Sequence, residues 1–204
     1  MTEPAIYLAS RSPRRQELLR QIGVGFVELR LREAAGRKPD VVERPHPGEA
    51  PADYSRRIAQ AKADVGARRM RQRGLPPLPV LGADTEVVLD GAIFGKPADA
   101  AAAARMLALL SGRRHQVLTT VALCWQHETL LATSVSTVTL RRLSGADIAR
   151  YVATGEPFDK AGGYAVQGRA ATFIRRIDGS YSGVMGLPLH ETARLLARIG
   201  RPVL

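Results

Sequence analysis

The chain has 204 residues, 45% of them hydrophobic, enough to bury the core of one compact domain or of one domain with two lobes. No apolar run nears the roughly 18 residues that a membrane span requires, and a single cysteine, Cys124, excludes an internal disulfide framework. The formal charge is +11, but only four of the 30 basic residues are lysines, the arginines are scattered and aromatics make up 5%. Nucleic-acid grooves interleave basic and aromatic side chains, so the balance favours an anionic small molecule over a polynucleotide. The first residues, Met1-Thr-Glu-Pro4, lack the basic and apolar regions of a signal peptide, and a soluble cytoplasmic protein is expected.

In chain order, Ala5 to Ala9 reads as a short buried strand running into Ser10-Arg11-Ser12-Pro13-Arg14-Arg15. Ser12 suits an N-cap and Pro13 a first helical position, and Leu18, Leu19 and Ile22 continue with helical spacing up to Gly23. Free backbone N–H groups, a positive dipole end, two hydroxyls and two guanidiniums at one helix start favour phosphate binding over a mere solvated cap. Gly25 to Leu31 is a second strand with Glu33 just past its end, and a loop rich in proline, glycine and charge follows to Pro51. Ala52 to about Arg73 is helical. Tyr54, Ile58, Ala61 and Val65 line one face of it, Asp53 and Arg57 are spaced to pair, and Lys62 sits at the edge of the apolar stripe as a snorkelling surface lysine.

The most informative stretch runs from Gly82 to Pro97. Asp84 and Thr85 follow an apolar run from Leu78 to Leu81, Val87 to Leu89 resume strand character, and Asp90-Gly91 favours a tight hairpin turn. The return strand, Ala92 to Phe94, ends at Gly95-Lys96-Pro97, so the hairpin is expected to bring Asp84 near Lys96. Asp99 then caps a core helix closed by Gly112. Two strands follow, Gln116 to Trp125 and Thr129 to Leu140, with His115 as a capping or core histidine, and Ser144 with Asp147 reads as a capping box. Gly155 to Gly168 carries too many glycines and polar groups for a regular element, and Glu156, Asp159, Lys160 and Gln167 are its candidates to face a ligand. A strand at Ile174 to Ile177, a flexible loop at Gly179 to Gly183 and a helix from Pro188 to Ile199 complete an α/β unit with a mixed sheet.

Three stretches together resemble the Maf family of nucleoside triphosphate pyrophosphatases: Leu8 to Arg15, Gly82-Ala-Asp-Thr85 with Gly95-Lys-Pro97, and Lys160 to Gly168 with Gly179-Ser-Tyr181 and Gly186-Leu-Pro188. The likeness runs nearly the whole chain and implies one domain, residues 1–204, with a mixed, twisted central sheet and flanking helices in two lobes around a cleft, as in the inosine-triphosphate pyrophosphatases. It also implies hydrolysis of a nucleotide's α–β phosphoanhydride with a divalent cation, Mg²⁺ or Mn²⁺, by a homodimer. Carried over, Asp84 takes the place of the catalytic carboxylate, as general base, metal ligand or both. Ser10, Arg14, Arg15, Glu33, Lys62 and Lys96 match phosphate- and metal-handling positions, Glu33 joining Asp84 as the metal pair, and Arg14, Thr85 and Gln167 match base-selecting ones. Gly-Ala-Asp-Thr with this glutamine looks like the branch acting on dTTP and UTP. A 7-methyl-GTP or other modified-purine pyrophosphatase, and a non-catalytic regulator binding nucleic acid or a division protein, are the runners-up. Ala165, Gly183 and Glu86 depart from the family's usual residues, and by strand alternation Glu86 points opposite to Thr85.

Overall fold

A computed structural model describes residues 5–32 and 38–203. Strand β1 (Ile6–Leu8) leads into helix α1 (Pro13–Gln21), where Pro13 holds the first helical turn and the Ser12 side chain accepts from the Arg15 N–H. Strand β2 (Phe26–Glu28) precedes the long helix α2 (Pro51–Gln72), and strands β3 (Val80–Leu89) and β4 (Ala92–Phe94) form the hairpin turned at Asp90-Gly91. Helix α3 (Ala100–Leu110) starts where Asp99 accepts from Ala102 N–H at 2.7 Å. Strands β5 (Arg114–Trp125) and β6 (Glu128–Leu140) follow, then α4 (Gly145–Val152), opened by the full capping box of Ser144 and Asp147. Strand β7 (Ile174–Asp178), a short helix α5 (Tyr181–Met185) and helix α6 (Leu189–Arg198) end the fold. Among the described residues no helix is long and apolar enough to cross a membrane.

Three local expectations change. The second strand is three residues long because β1, its only partner among the described residues, is: Ile6, Tyr7 and Leu8 pair with Phe26, Val27 and Glu28. The stretch at Gly179 to Gly183 is not simply a loop, since Ser180 Oγ accepts from Gly183 N–H at 3.0 Å and caps α5. Arg57 pairs not with Asp53 but with Glu49 just before α2, through two contacts of 2.6 and 2.7 Å that pull the Glu49 carboxyl down to about 2.

The sheet is mixed, in the order β2-β1-β3-β5-β6-β7, with β1 parallel to β2 and β3 and the remaining pairs antiparallel. One edge of β3 is fully occupied, by β5, from Val80 to Val88. The other edge is shared. There β1 pairs with Val80 and Leu81 and β4 pairs with Val87 to Leu89, so Gly82 to Glu86 lie between them without a strand partner on that side among the described residues. This gap opens at the C-terminal end of a parallel strand, where α/β sheets receive ligands.

Alternation along β3 divides its side chains between two layers. Leu81 and Ala83 face α1 and α6 and join a core with Leu18, Leu19, Leu187 and Leu196, whereas Gly82, Asp84 and Glu86 face α2. Gly82 sets the distance between α2 and the sheet. A Cβ there would lie 2.6 Å from the Ala63 nitrogen and 2.7 Å from the Ala59 oxygen, so helix and strand backbones are in direct contact. Since neither of those atoms is a flexible side-chain end, Gly82→Ala is expected to lower unfolding stability by about 1–3 kcal/mol through overpacking. Urea denaturation measures this, and an unchanged midpoint would show that α2 is free to move.

Candidate active site

Asp84 stands in the sheet gap and is 5% exposed. Its Oδ1 receives the Lys62 ammonium of α2 at 2.7 Å, and Glu43, from the segment before α2, takes the same ammonium at 3.0 Å. Lys62 is therefore no snorkelling lysine: its side chain is 12% exposed and lies between two carboxylates. The expected neighbour, Lys96, is not Asp84's partner. Pairing of β4 ends at Phe94 opposite Val87, and the Gly95 carbonyl is taken by the Gly162 N–H at 3.1 Å, so the hairpin does not zip down to Asp84. Lys96 is exposed just beyond, with no ion pair among the described residues.

Asp84 Oδ2 is buried with no hydrogen-bond partner among the described residues. Glu86, two residues on and on the same face, is 7% exposed. Burial first, then the charge of Asp84, push the Glu86 carboxyl far above the usual range, which favours its neutral form. Glu86 does point away from Thr85, and for that reason it points toward Asp84.

On the opposite layer, Thr85 belongs to a network centred on Arg15. The guanidinium donates to the Gly186 carbonyl at 2.8 Å, to Ser10 Oγ at 3.2 Å and to Thr85 Oγ1 at 3.3 Å. Thr119 Oγ1 lies 3.0 Å from Thr85 Oγ1 and donates to the Gly183 carbonyl at 2.7 Å. Burial lowers the Arg15 pKa. This arginine ties α1, β3 and the end of α5 together, so among the neighbouring pair it is Arg14, half-buried and without an ion pair among the described residues, that is left to meet an anion. Ser10 Oγ also accepts from the Ser12 N–H at 3.2 Å.

The stretch from Gly155 to Gly168 is irregular, as its composition suggests, apart from a single 3₁₀ turn at Ala161–Gly163. Of its four candidates, Lys160 donates to Asp159 and to the Glu156 carbonyl, both at 2.6 Å, and Glu156 turns its carboxylate back on the loop itself. Gln167 is half-buried and its amide makes no hydrogen bond among the described residues. The loop is fastened to the sheet by Tyr164, whose hydroxyl lies 2.6 Å from His115 Nε2 in the core.

Glu33 lies outside the described residues. Glu43 and Thr119 were missed by sequence reading; Thr119 is paired with Thr85 across β3 and β5, while nothing in the loop composition singles out Glu43. Among the described residues no group of three or more His, Cys, Asp or Glu is placed to hold a metal. The orphaned Oδ2 of Asp84 nevertheless suits a hard cation that takes one or two carboxylates and completes its shell with phosphate oxygens and water.

A mixed sheet interrupted around a buried carboxylate, with a lysine against it, is an arrangement suited to an enzyme that handles a phosphorylated substrate. The chain belongs to the Maf-like protein family, whose model matches residues 5–199. It is 57% identical to the dTTP/UTP pyrophosphatase of Nitrosomonas europaea, over 96% of this chain and 94% of that one. The protein of the same name from Aromatoleum aromaticum is also 57% identical, over 97% of both chains, and that of Bordetella pertussis 51%, over 97% and 93%. Among solved structures, the Staphylococcus aureus Ham1 protein aligns with 95% of this chain and 96% of its own at a TM-score of 0.48 and 14% identity, too distant to carry an argument.

Burial pushes His115 down from 6.5 to about 4, so folding favours its neutral form. Protonation then favours the unfolded chain: the contribution is whole above pH 6.5 and drains away as pH falls toward 4. A loss of roughly 3 kcal/mol over that window is expected. Urea unfolding at pH 7 and pH 4 measures it, with His115→Gln, which cannot titrate, showing a correspondingly smaller fall.

Proposed function

We propose that this chain is a nucleoside triphosphate pyrophosphatase that cleaves the α–β phosphoanhydride of dTTP and UTP, releasing the monophosphate and pyrophosphate. The observation that carries the reading is Asp84, buried in the gap of the sheet with one oxygen held by Lys62 and the other without a hydrogen-bond partner among the described residues. The name dTTP/UTP pyrophosphatase, borne by relatives 51% to 57% identical over nearly their whole length, supports the substrate.

A triphosphate brings about four negative charges into one cleft, to be met by fixed cations. Arg14 offers a planar fork of donors to phosphate oxygens and Lys96 a mobile point charge. The water that attacks the α-phosphorus loses its proton to Asp84 as the new P–O bond forms, and the bridging oxygen departs with pyrophosphate. Asp84 Oδ2, without a hydrogen-bond partner among the described residues, has acceptor capacity for that proton or for a metal. Asp84, with Glu33 by the family resemblance, would hold a divalent cation, which would supply polarisation of the phosphate and offset its charge. Arg14, Thr85 and Gln167 form the base-selecting set, and a cytoplasmic homodimer completes the proposal, carried by the family resemblance.

Pyrophosphate release from a panel of nucleoside triphosphates tests the reading. Fast turnover of dTTP and UTP is expected, with kcat lowered about 10²-fold or more in Asp84→Asn; near-normal turnover by that variant would sink the assignment of Asp84, and turnover confined to purines would overturn the substrate. Removal of divalent cations with a chelator is expected to abolish release, and Mg²⁺ or Mn²⁺ to restore it. The same ions are expected to raise the melting temperature of the wild-type protein but not of Asp84→Asn.

A further inference from the structure

The carboxylate of Glu156 is spent in an unusual way. It is half-buried, and among the described residues no ammonium or guanidinium pairs with it. Its three partners are the Tyr151 hydroxyl at 2.9 Å to Oε1, the Arg169 N–H at 3.0 Å to Oε2 and the Ala170 N–H at 3.4 Å to Oε1. Residue 156 thus reaches across the whole loop and fastens its far end, where the 3₁₀ segment Arg169–Phe173 presents free N–H groups. Tyr151, 3% exposed and packed edge-to-face on Phe173 at 5.2 Å, gives the carboxylate an immobile footing.

Gly168 fits this clamp. A Cβ at 168 would come within 2.4 Å of Glu156 Oε1, so the glycine is what lets the carboxylate seat against the backbone. On the other side of Gln167, Val166 is 8% exposed and belongs to the same core as Leu81 and Ala83 of β3. Gln167 is therefore the one residue left between two fixed points, with its amide free.

We propose that Glu156 is a positioning residue for base selection: by clamping Gly168 to Ala170 it fixes the direction in which Gln167 presents its amide to the pyrimidine. The inference rests on the proposed dTTP/UTP reading, in which Gln167 contacts the base. Thymine and uracil differ from cytosine in one ring N–H and one exocyclic group, and a primary amide reads such a difference only if it is held in one orientation. Losing the clamp frees the amide to serve either pattern, which weakens discrimination and leaves phosphate chemistry at Asp84 in place.

The test compares kcat and KM for dTTP and dCTP in the wild type, Glu156→Gln, Tyr151→Phe, Gln167→Ala and the double variant Glu156→Gln with Gln167→Ala. Glu156→Gln keeps the side-chain volume but replaces one accepting oxygen with a donor. It is expected to reduce the preference for dTTP about 10-fold or more, through a raised KM for dTTP, with kcat within about 3-fold of wild type. Tyr151→Phe, which keeps the two backbone contacts, is expected to lose less. The double variant is expected to discriminate no worse than Gln167→Ala alone, because both changes act on one contact. Preserved preference in Glu156→Gln, an equal loss on both substrates, or additive losses in the double variant would each overturn the inference. A wild-type enzyme that fails to prefer dTTP over dCTP overturns the base-selection reading itself, which is a distinguishable failure.

Discussion

The contact between α2 and β3 at Gly82 is the constraint on which the site depends. Helices on a sheet are ordinarily held off by the side chains between them, but here the strand has none at the crossing point and the backbone of Ala59 and Ala63 lies against it. Lys62 is the neighbour of Ala63, and Asp84 follows Gly82 on the same face, about 6.6 Å along the strand. Bringing the backbones together is what allows a lysine from a helix to reach a carboxylate in the centre of a sheet at 2.7 Å. A methyl group at position 82 would press on the backbone of Ala59 and Ala63 and on Lys62 Cβ, 3.1 Å away, and so bear directly on the residue that holds Asp84.

That pair is expensive to build. Both side chains are nearly removed from water, 12% and 7% exposed, and an ion pair in such a place returns little more than the cost of desolvating its members. The exposed contact of Lys62 with Glu43 adds little, being screened by solvent. Glu86 adds a second carboxyl to the same small volume, which one ammonium is not enough to neutralise. The conflict is relieved by the Glu86 carboxyl itself, which burial and the charge of Asp84 raise far above the usual range and so hold in its neutral form. An anionic substrate entering this gap meets one fixed negative charge on β3 instead of two.

Much of the fold was legible because its signals are local. Ser12, Asp99 and Ser144 cap the helices they were expected to cap, and Asp90-Gly91 turns the expected hairpin. The site was legible one residue at a time, through the family resemblance more than through periodicity, and its pairings were not. Lys62 looks like a surface lysine until the depth of α2 against the sheet is known, and Gly82 resembles any turn glycine. Arg14 and Arg15 are the same residue at adjacent positions. Only the roughly 100° turn between successive helical residues decides that one is tied to Ser10, Thr85 and Gly186 while the other makes no ion pair among the described residues. Glu43 sits in a segment whose composition signals only a loop. Hairpin length alone does not say how far β3 and β4 zip, which depends on what else binds the strands, and here Gly162 takes the Gly95 carbonyl.

The two-residue period of β3 also explains how one short motif serves two purposes. Asp84 and Glu86 project toward α2, where an ammonium waits, and Thr85 projects the other way, into the hydroxyl and guanidinium network of Thr119 and Arg15. In the proposed function the first layer handles phosphate and the second, with Gln167, handles the base. The backbone of β3 then acts as the partition between them, and the gap in the sheet is where a single substrate reaches both. A side chain on one layer reaches the other only by moving this strand, which β5 holds along its length from Val80 to Val88. In that reading, changes in base selection on the Thr85 layer are insulated from the chemistry at Asp84 by the strand between them.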